Sequence, residues 1–188
     1  ANIGFDDNHI YEELNKEKFS VAYYIPYFSS LIKLEQFSQA EQLAKKLSKR
    51  YPTTISYQLE IGVAQYKSGN KKKYERTYSK ILKNFNGNKS QAINLANTFI
   101  RYDMYKEALG IYLLAEELNP TSNFGMQKAQ LYSNLGDSEM MITEYLNELY
   151  RNPSSKSTIV SQIQKFIDND GIKSDKNYQL VNKILLPF

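Results

Sequence analysis

The chain has 188 residues, 41% of them apolar and 23% charged, with 16 Tyr, 9 Phe, no Cys and one His. This composition excludes an intrinsically disordered segment and any disulfide or Cys-zinc scaffold, and the single histidine, His9, excludes every two-histidine metal motif. The formal charge of +4 hides an uneven distribution: Lys45 to Lys89 hold 12 basic residues against Glu60 and Glu75, net +10, whereas residues 95–188 hold 9 basic and 11 acidic residues, net −2. No run of about 18 apolar residues occurs, so no stretch would cross a bilayer as a helix. The start at Ala1, with no leader-like segment behind it, and the apolar end from Ile184 to Phe188 lead us to expect a piece of a longer chain.

In chain order, Asn8 to Phe19 reads as a single helix ahead of the first regular unit. Prolines then mark a period. Pro52, Pro120 and Pro153 each follow a helical stretch, and 52 to 120 is 68 residues, twice 34, with the intermediate position at Asn86 beside Gly87. On this spacing Ala40, Tyr74, Ala108 and Met141 coincide where two helices should pass closely, and Gly69, Asp103 and Gly136 coincide in short turns. Before a turn, Ile93, Leu95, Ala96, Phe99, Ile100 and Tyr102 recur at helical spacing. After a turn, so do Ala108, Ile111, Tyr112, Ala115 and Leu118, and likewise Tyr74, Tyr78, Ile81, Leu82 and Phe85. Each unit is therefore helix, tight turn, helix, loop, over 21–54, 55–88, 89–121 and 122–155. A capping helix within 1–19 and a degenerate pair within 156–188 complete one continuous array. Pro26, inside the first helix, predicts a kink or a late helix start.

The pattern resembles the tetratricopeptide repeat (TPR) family, most closely in the third unit, through Leu95-Ala96, Phe99, Ala108, Tyr112, Ala115 and Pro120. The fourth unit carries Ala129, Tyr132, Gly136, Tyr145 and Pro153; the second carries Gly62, Gly69 and Tyr78 but sets Tyr74 in the small-residue place. The resemblance implies an all-α fold, an α-solenoid of antiparallel helix pairs wound as a right-handed superhelix, with the first helix of each pair lining a concave groove. Ile93-Asn94-Leu95-Ala96-Asn97, and Glu144-Tyr145-Leu146 with Asn152-Pro153, are similar to stretches of large bacterial secreted TPR proteins of unassigned function, which implies a periplasmic or secreted location.

Carried over unit by unit, the family's groove positions are Ile25, Ser29 and Lys33, then Leu59, Val63, Tyr66 and Lys67. The third unit supplies Ile93, Asn97 and Arg101, and the fourth Met126 and Gln130. Lys33, Lys67 and Arg101 are spaced by 34 and could form a cationic ladder for an acidic peptide, or simply complement the ends of their helices. A lysine clamp for a C-terminal carboxylate is not expected, because its lysine place holds Ile25, Leu59, Ile93 and Met126. These apolar entries suit a partner that buries side chains.

Lys72, Arg76, Lys80 and Lys83 recur at fours and threes opposite the Tyr74, Tyr78, Ile81 stripe, a convex basic ridge that is either a solvated face or a polyanion site. Nucleic acid is not the expected partner, since the tyrosines fall at core places. No phosphate loop, nucleophile elbow or metal motif occurs; Asp168-Asn169-Asp170-Gly171 reads as a turn, and Glu12-Glu13 and Glu116-Glu117 as solvated pairs. The expected function is thus non-catalytic binding of a protein or peptide, without cofactor or metal. The alternatives are a structural spacer or self-associating module of a larger protein, and polyanion binding.

Overall fold

A computed structural model describes residues 21–83, 85–168 and 174–185, and among them every regular element is helical. The expected capping helix at Asn8 to Phe19, with His9 and the Glu12-Glu13 pair, lies outside the described residues, as does the turn at 169–171. The chain forms two compact units, Ala1–Asn84 and Phe85–Phe188. The first contains α1 (Val21–Lys33), α2 (Phe37–Arg50), α3 (Ile55–Lys67) and α4 (Lys71–Leu82). The second contains α5 (Lys89–Arg101), α6 (Tyr105–Leu118), α7 (Gly125–Leu135), α8 (Ser138–Arg151), α9 (Lys156–Asp168) and α10 (Ser174–Leu185), with a 3-10 turn at Pro153–Ser155. Within each unit every helix packs on the next in sequence, and α9 and α10 both pack on α8, so the architecture is an α-solenoid of antiparallel helix pairs.

The turn between the two helices of a pair is set by backbone geometry. Glu35 (φ 58°), Gly69 (77°), Asp103 (58°) and Gly136 (76°) all adopt the left-handed conformation. In each case the same two bonds close the preceding helix. Gln36 N donates to Leu31 O (2.8 Å), Asn70 N to Gln65 O (2.9 Å), Met104 N to Phe99 O (3.0 Å) and Asp137 N to Tyr132 O (2.9 Å), while the left-handed residue itself bonds three residues back. The sequence marks three of these positions; Glu35 is the fourth. Asn70, Asn88 and Asp137 then cap the following helices by accepting from Lys73 N, Gln91 N and Met140 N.

Packing follows the 34-residue register. Ala40, Tyr74, Ala108 and Met141 are all buried, and so are Leu95, Ala96, Phe99, Tyr112 and Ala115. Tyr74, large where Ala40 and Ala108 are small, packs beside Gly62, whose added Cβ would be in ordinary contact with the Tyr74 ring at 3.5 Å. The terminal pair continues the core: Ile159 and Val181 are buried with Ala129, Met141, Ile142 and Tyr145. The late start expected at Pro26 is not observed. α1 is helical from Val21 through Pro26, which lies on the exposed side, where an absent N–H costs least.

Gly87 shows a second use of positive φ (76°): an added Cβ would meet Leu118 Cβ at 2.9 Å and the Ala115 carbonyl oxygen at 3.0 Å, so only glycine lets this loop lie against the end of α6.

Two stability measurements test this account. Glu35→Gly should raise the unfolding free energy in urea by about 1 kcal/mol, and Gly136→Ala should lower it by a similar amount. No heavy atom lies within 4 Å of the Cβ added at Gly136, so that cost is one of backbone conformation alone. Ala108→Phe, at a fully buried position, should cost about 1–3 kcal/mol by overpacking. An unchanged melt of that variant would contradict the register.

Candidate functional site

On the first helix of each pair, the face not consumed by the core carries the expected groove positions. In unit one, α1 presents Ile25 and Ser29 half-buried and Lys33 exposed. α3 differs: Leu59 is 1% exposed and Val63 is 0%. These two residues belong to the core and offer a partner no surface, which corrects their assignment as open lining. Only Tyr66 (43% exposed) and Lys67 remain reachable there, with the Tyr66 ring edge-on to Tyr74 at 5.1 Å.

In unit two the expected pattern is present. Ile93 and Met126 are half-buried, whereas Asn97, Arg101, Gln130 and Asn134 are exposed on α5 and α7. Asn97 and Gln130 make no hydrogen bond among the described residues. The Arg101 guanidinium lies 5.9 Å from the centre of the Tyr102 ring.

The three cations spaced by 34 divide between the units, Lys33 and Lys67 in the first and Arg101 in the second. Each occupies the last turn of its helix, where a positive charge complements the helix dipole. The basic ridge is exposed throughout, at Lys72, Arg76, Lys80 and Lys83 along α4.

Other polar residues are structural. In unit one, Gln65 on α3 donates to Glu41 Oε1 on α2 (2.9 Å) and accepts from Thr77 Oγ1 on α4 (2.8 Å), joining three helices. Burial pushes the Glu41 carboxyl up, but hydrogen bonds from Lys45 and Gln65 and the charges of Lys45 and Lys73 together hold its pKa below the ordinary carboxylate value. Tyr24 on α1 donates to the buried Glu60 on α3 (2.6 Å).

In unit two, Lys128 on α7 sits between Glu116 on α6 (2.7 Å) and Glu144 on α8 (3.1 Å). The other oxygen of Glu116 accepts from Phe124 N at the start of α7 (2.9 Å). Glu116 is therefore a packing residue and not the solvated carboxylate expected from its helical face, whereas Glu117 is exposed as expected. For Lys128, burial favours the neutral amine, yet the two carboxylates outweigh it and raise the pKa above 10.5. A folded value above the unfolded one means that the ion pair contributes fully below about pH 10.5 and is lost as pH rises through the higher value.

The repeat register contains a signal for these networks. Gln65 stands where other units have Leu31, Phe99 and Tyr132, and Glu144 where they have Leu43, Thr77 and Ile111. A polar residue at a core place needs a partner on the neighbouring helix.

Among the described residues no helix is long and apolar enough to cross a membrane, and no three acidic or histidine side chains are grouped to hold a metal ion. No protein-family model and no curated protein matches the chain. The functional reading therefore rests on geometry.

Removing the central charge of the buried triad should be costly. Lys128→Met should lower the unfolding free energy by about 3 kcal/mol, by leaving Glu116 and Glu144 uncompensated. Adding Glu116→Gln and Glu144→Met should recover most of it, as read from urea midpoints.

Proposed function

We propose that this chain is a non-catalytic interaction scaffold of the tetratricopeptide type, which holds an extended peptide or a helix of another protein against the first helices of its pairs. One observation carries the reading: in unit two, the face of α5 and α7 left over from core packing combines half-buried Ile93 and Met126 with the uncommitted carboxamides of Asn97 and Gln130. Buried polar residues elsewhere, such as Gln65 and Lys128, are bonded within the fold, whereas these exposed amides are donors and acceptors that a partner's backbone could use, beside the half-buried aliphatics. The apolar pair gives such a partner surface to bury, and Arg101 adds a charge that sets orientation and encounter rate. In unit one the contribution reduces to Ile25, Ser29, Lys33, Tyr66 and Lys67, because Leu59 and Val63 are closed.

The left-handed turn at Glu35, one period before those at 69, 103 and 136, adds to the tetratricopeptide reading a position that the sequence pattern had not marked. A periplasmic or secreted setting belongs to the same proposal and rests on the resemblance alone.

The test is affinity capture from an extract of the source cell on the immobilised chain, beside an Asn97→Glu, Arg101→Glu, Gln130→Glu variant with an unchanged melting curve. A protein retained by the parent and lost by the variant is the expected outcome. Identical retention by both would remove the first-helix face as the site, and a concentration-dependent mass in light scattering would point instead to self-association.

A further inference from the structure

Unit one carries a second surface, at the turn edge of its helices, which shares Lys33, Tyr66 and Lys67 with the first-helix reading but does not depend on that reading. The turns between α1 and α2 and between α3 and α4 lie at the same end of this unit, because successive helices joined by short loops are antiparallel. The hydrogen-bond chain from Glu41 near the start of α2, through Gln65 near the end of α3, to Thr77 on α4 ties that end together.

At this edge two large side chains face solvent: Leu34 is 68% exposed in the first turn, and Tyr66 is 43% exposed beside the second. Around them stand Lys33, Lys67 and the three consecutive lysines Lys71, Lys72 and Lys73, which outnumber the acids of this end: Glu35 and Glu75, both exposed, and the half-buried Glu41, whose carboxylate feels the charge of Lys73. None of these five lysines makes an ion pair among the described residues.

We propose that this edge docks unit one on an anionic bilayer surface, with Leu34 and Tyr66 entering the headgroup region and the lysines pairing with acidic lipid. The combination selects the ligand. Leucine and tyrosine tips flanked by lysine suit the boundary between water and acyl chains. A duplex nucleic acid offers phosphates but gives those tips no apolar place to enter. An acidic peptide would be better served by a groove than by lysines projecting from two turns. Lysine, a compact charge without the fork of arginine, suits a diffuse field of headgroups better than bidentate recognition. The Tyr66 ring is already held by its edge-on contact with Tyr74, so little freedom is lost when it inserts.

The experiment is co-sedimentation of the whole chain with vesicles of phosphatidylcholine alone and of phosphatidylcholine with phosphatidylserine. The parent should bind only the second, and the bound fraction should fall with added salt. Lys71→Glu, Lys72→Glu, Lys73→Glu should weaken partitioning by at least about 100-fold, each lysine near an acidic leaflet contributing roughly fivefold. Lys49→Glu, Lys80→Glu, Lys83→Glu changes net charge equally but lies at the far ends of α2 and α4, and should weaken it far less. Leu34→Gln, which leaves every charge in place, should cost about tenfold. Circular dichroism verifies that each variant is folded, and Leu34→Gln decides the matter if the triple variants are not.

Equal binding to neutral vesicles, no binding to acidic ones, or equal loss in the two triple variants would overturn the proposal. Capture of duplex DNA or polyglutamate through the same lysines, without vesicle binding, would also overturn it, because the ligand would then be an anionic polymer.

Discussion

The fold depends on a backbone constraint that recurs along the chain: one residue with positive φ between the helices of a pair, at 35, 69, 103 and 136. The two hydrogen bonds made there fix how far each first helix runs and where the second begins. Because the bonds are the same in all four turns, the side chains that meet between helices are the same register places in every pair. A glycine pays nothing for the conformation; Glu35 and Asp103 pay, and the helices they join repay it through packing. That Asp103 accepts from Tyr105 Oη (2.8 Å) shows how local bonding accompanies a strained place on the surface.

Given that register, the core is filled by exchange between facing helices. Tyr74 takes the place occupied by alanine in two other pairs and packs beside Gly62 on the facing helix. Polar exchange follows the same rule. Gln65 with Thr77, and Lys128 with Glu144, replace apolar residues at core places on both sides of a helix contact. A lone substitution of that kind would leave a buried group unsatisfied, and among the described residues no buried side-chain nitrogen or oxygen lacks a partner.

The period was legible because proline, glycine and apolar spacing all report it, and the positive-φ turns at 35, 69, 103 and 136 recur on it. Glu35 was not legible, since nothing in a glutamate announces a left-handed backbone; only its distance of 34 from Gly69 does. The closure of Leu59 and Val63 was equally hidden. A periodic reading assigns a residue to a face of its helix, but whether that face is covered depends on contacts that periodicity does not contain. Glu116 was misassigned for a related reason: the adjacent Glu117 suggested a solvated pair, whereas the partner of Glu116, Lys128, comes from the next helix. Pro26 did not delay the helix start, because a proline can be carried inside a helix on its solvent-facing side.

Function follows from sorting the polar residues by whether the fold has already used them. Gln65, Glu41, Lys128, Glu116 and Glu144 are spent on holding helices together, and their substitution would be felt as lost stability whatever the protein binds. Asn97 and Gln130 on the first helices of unit two, and Lys71 and Lys72 on the turn edge of unit one, make no hydrogen bond or ion pair among the described residues. Two such groups of different chemistry, carboxamides beside half-buried aliphatics in one unit and lysines around exposed Leu34 and Tyr66 in the other, are suited to different ligands. A repeat array keeps such faces separable, because each pair is stabilised by its own neighbours and a change on one open face leaves the packing of distant pairs untouched.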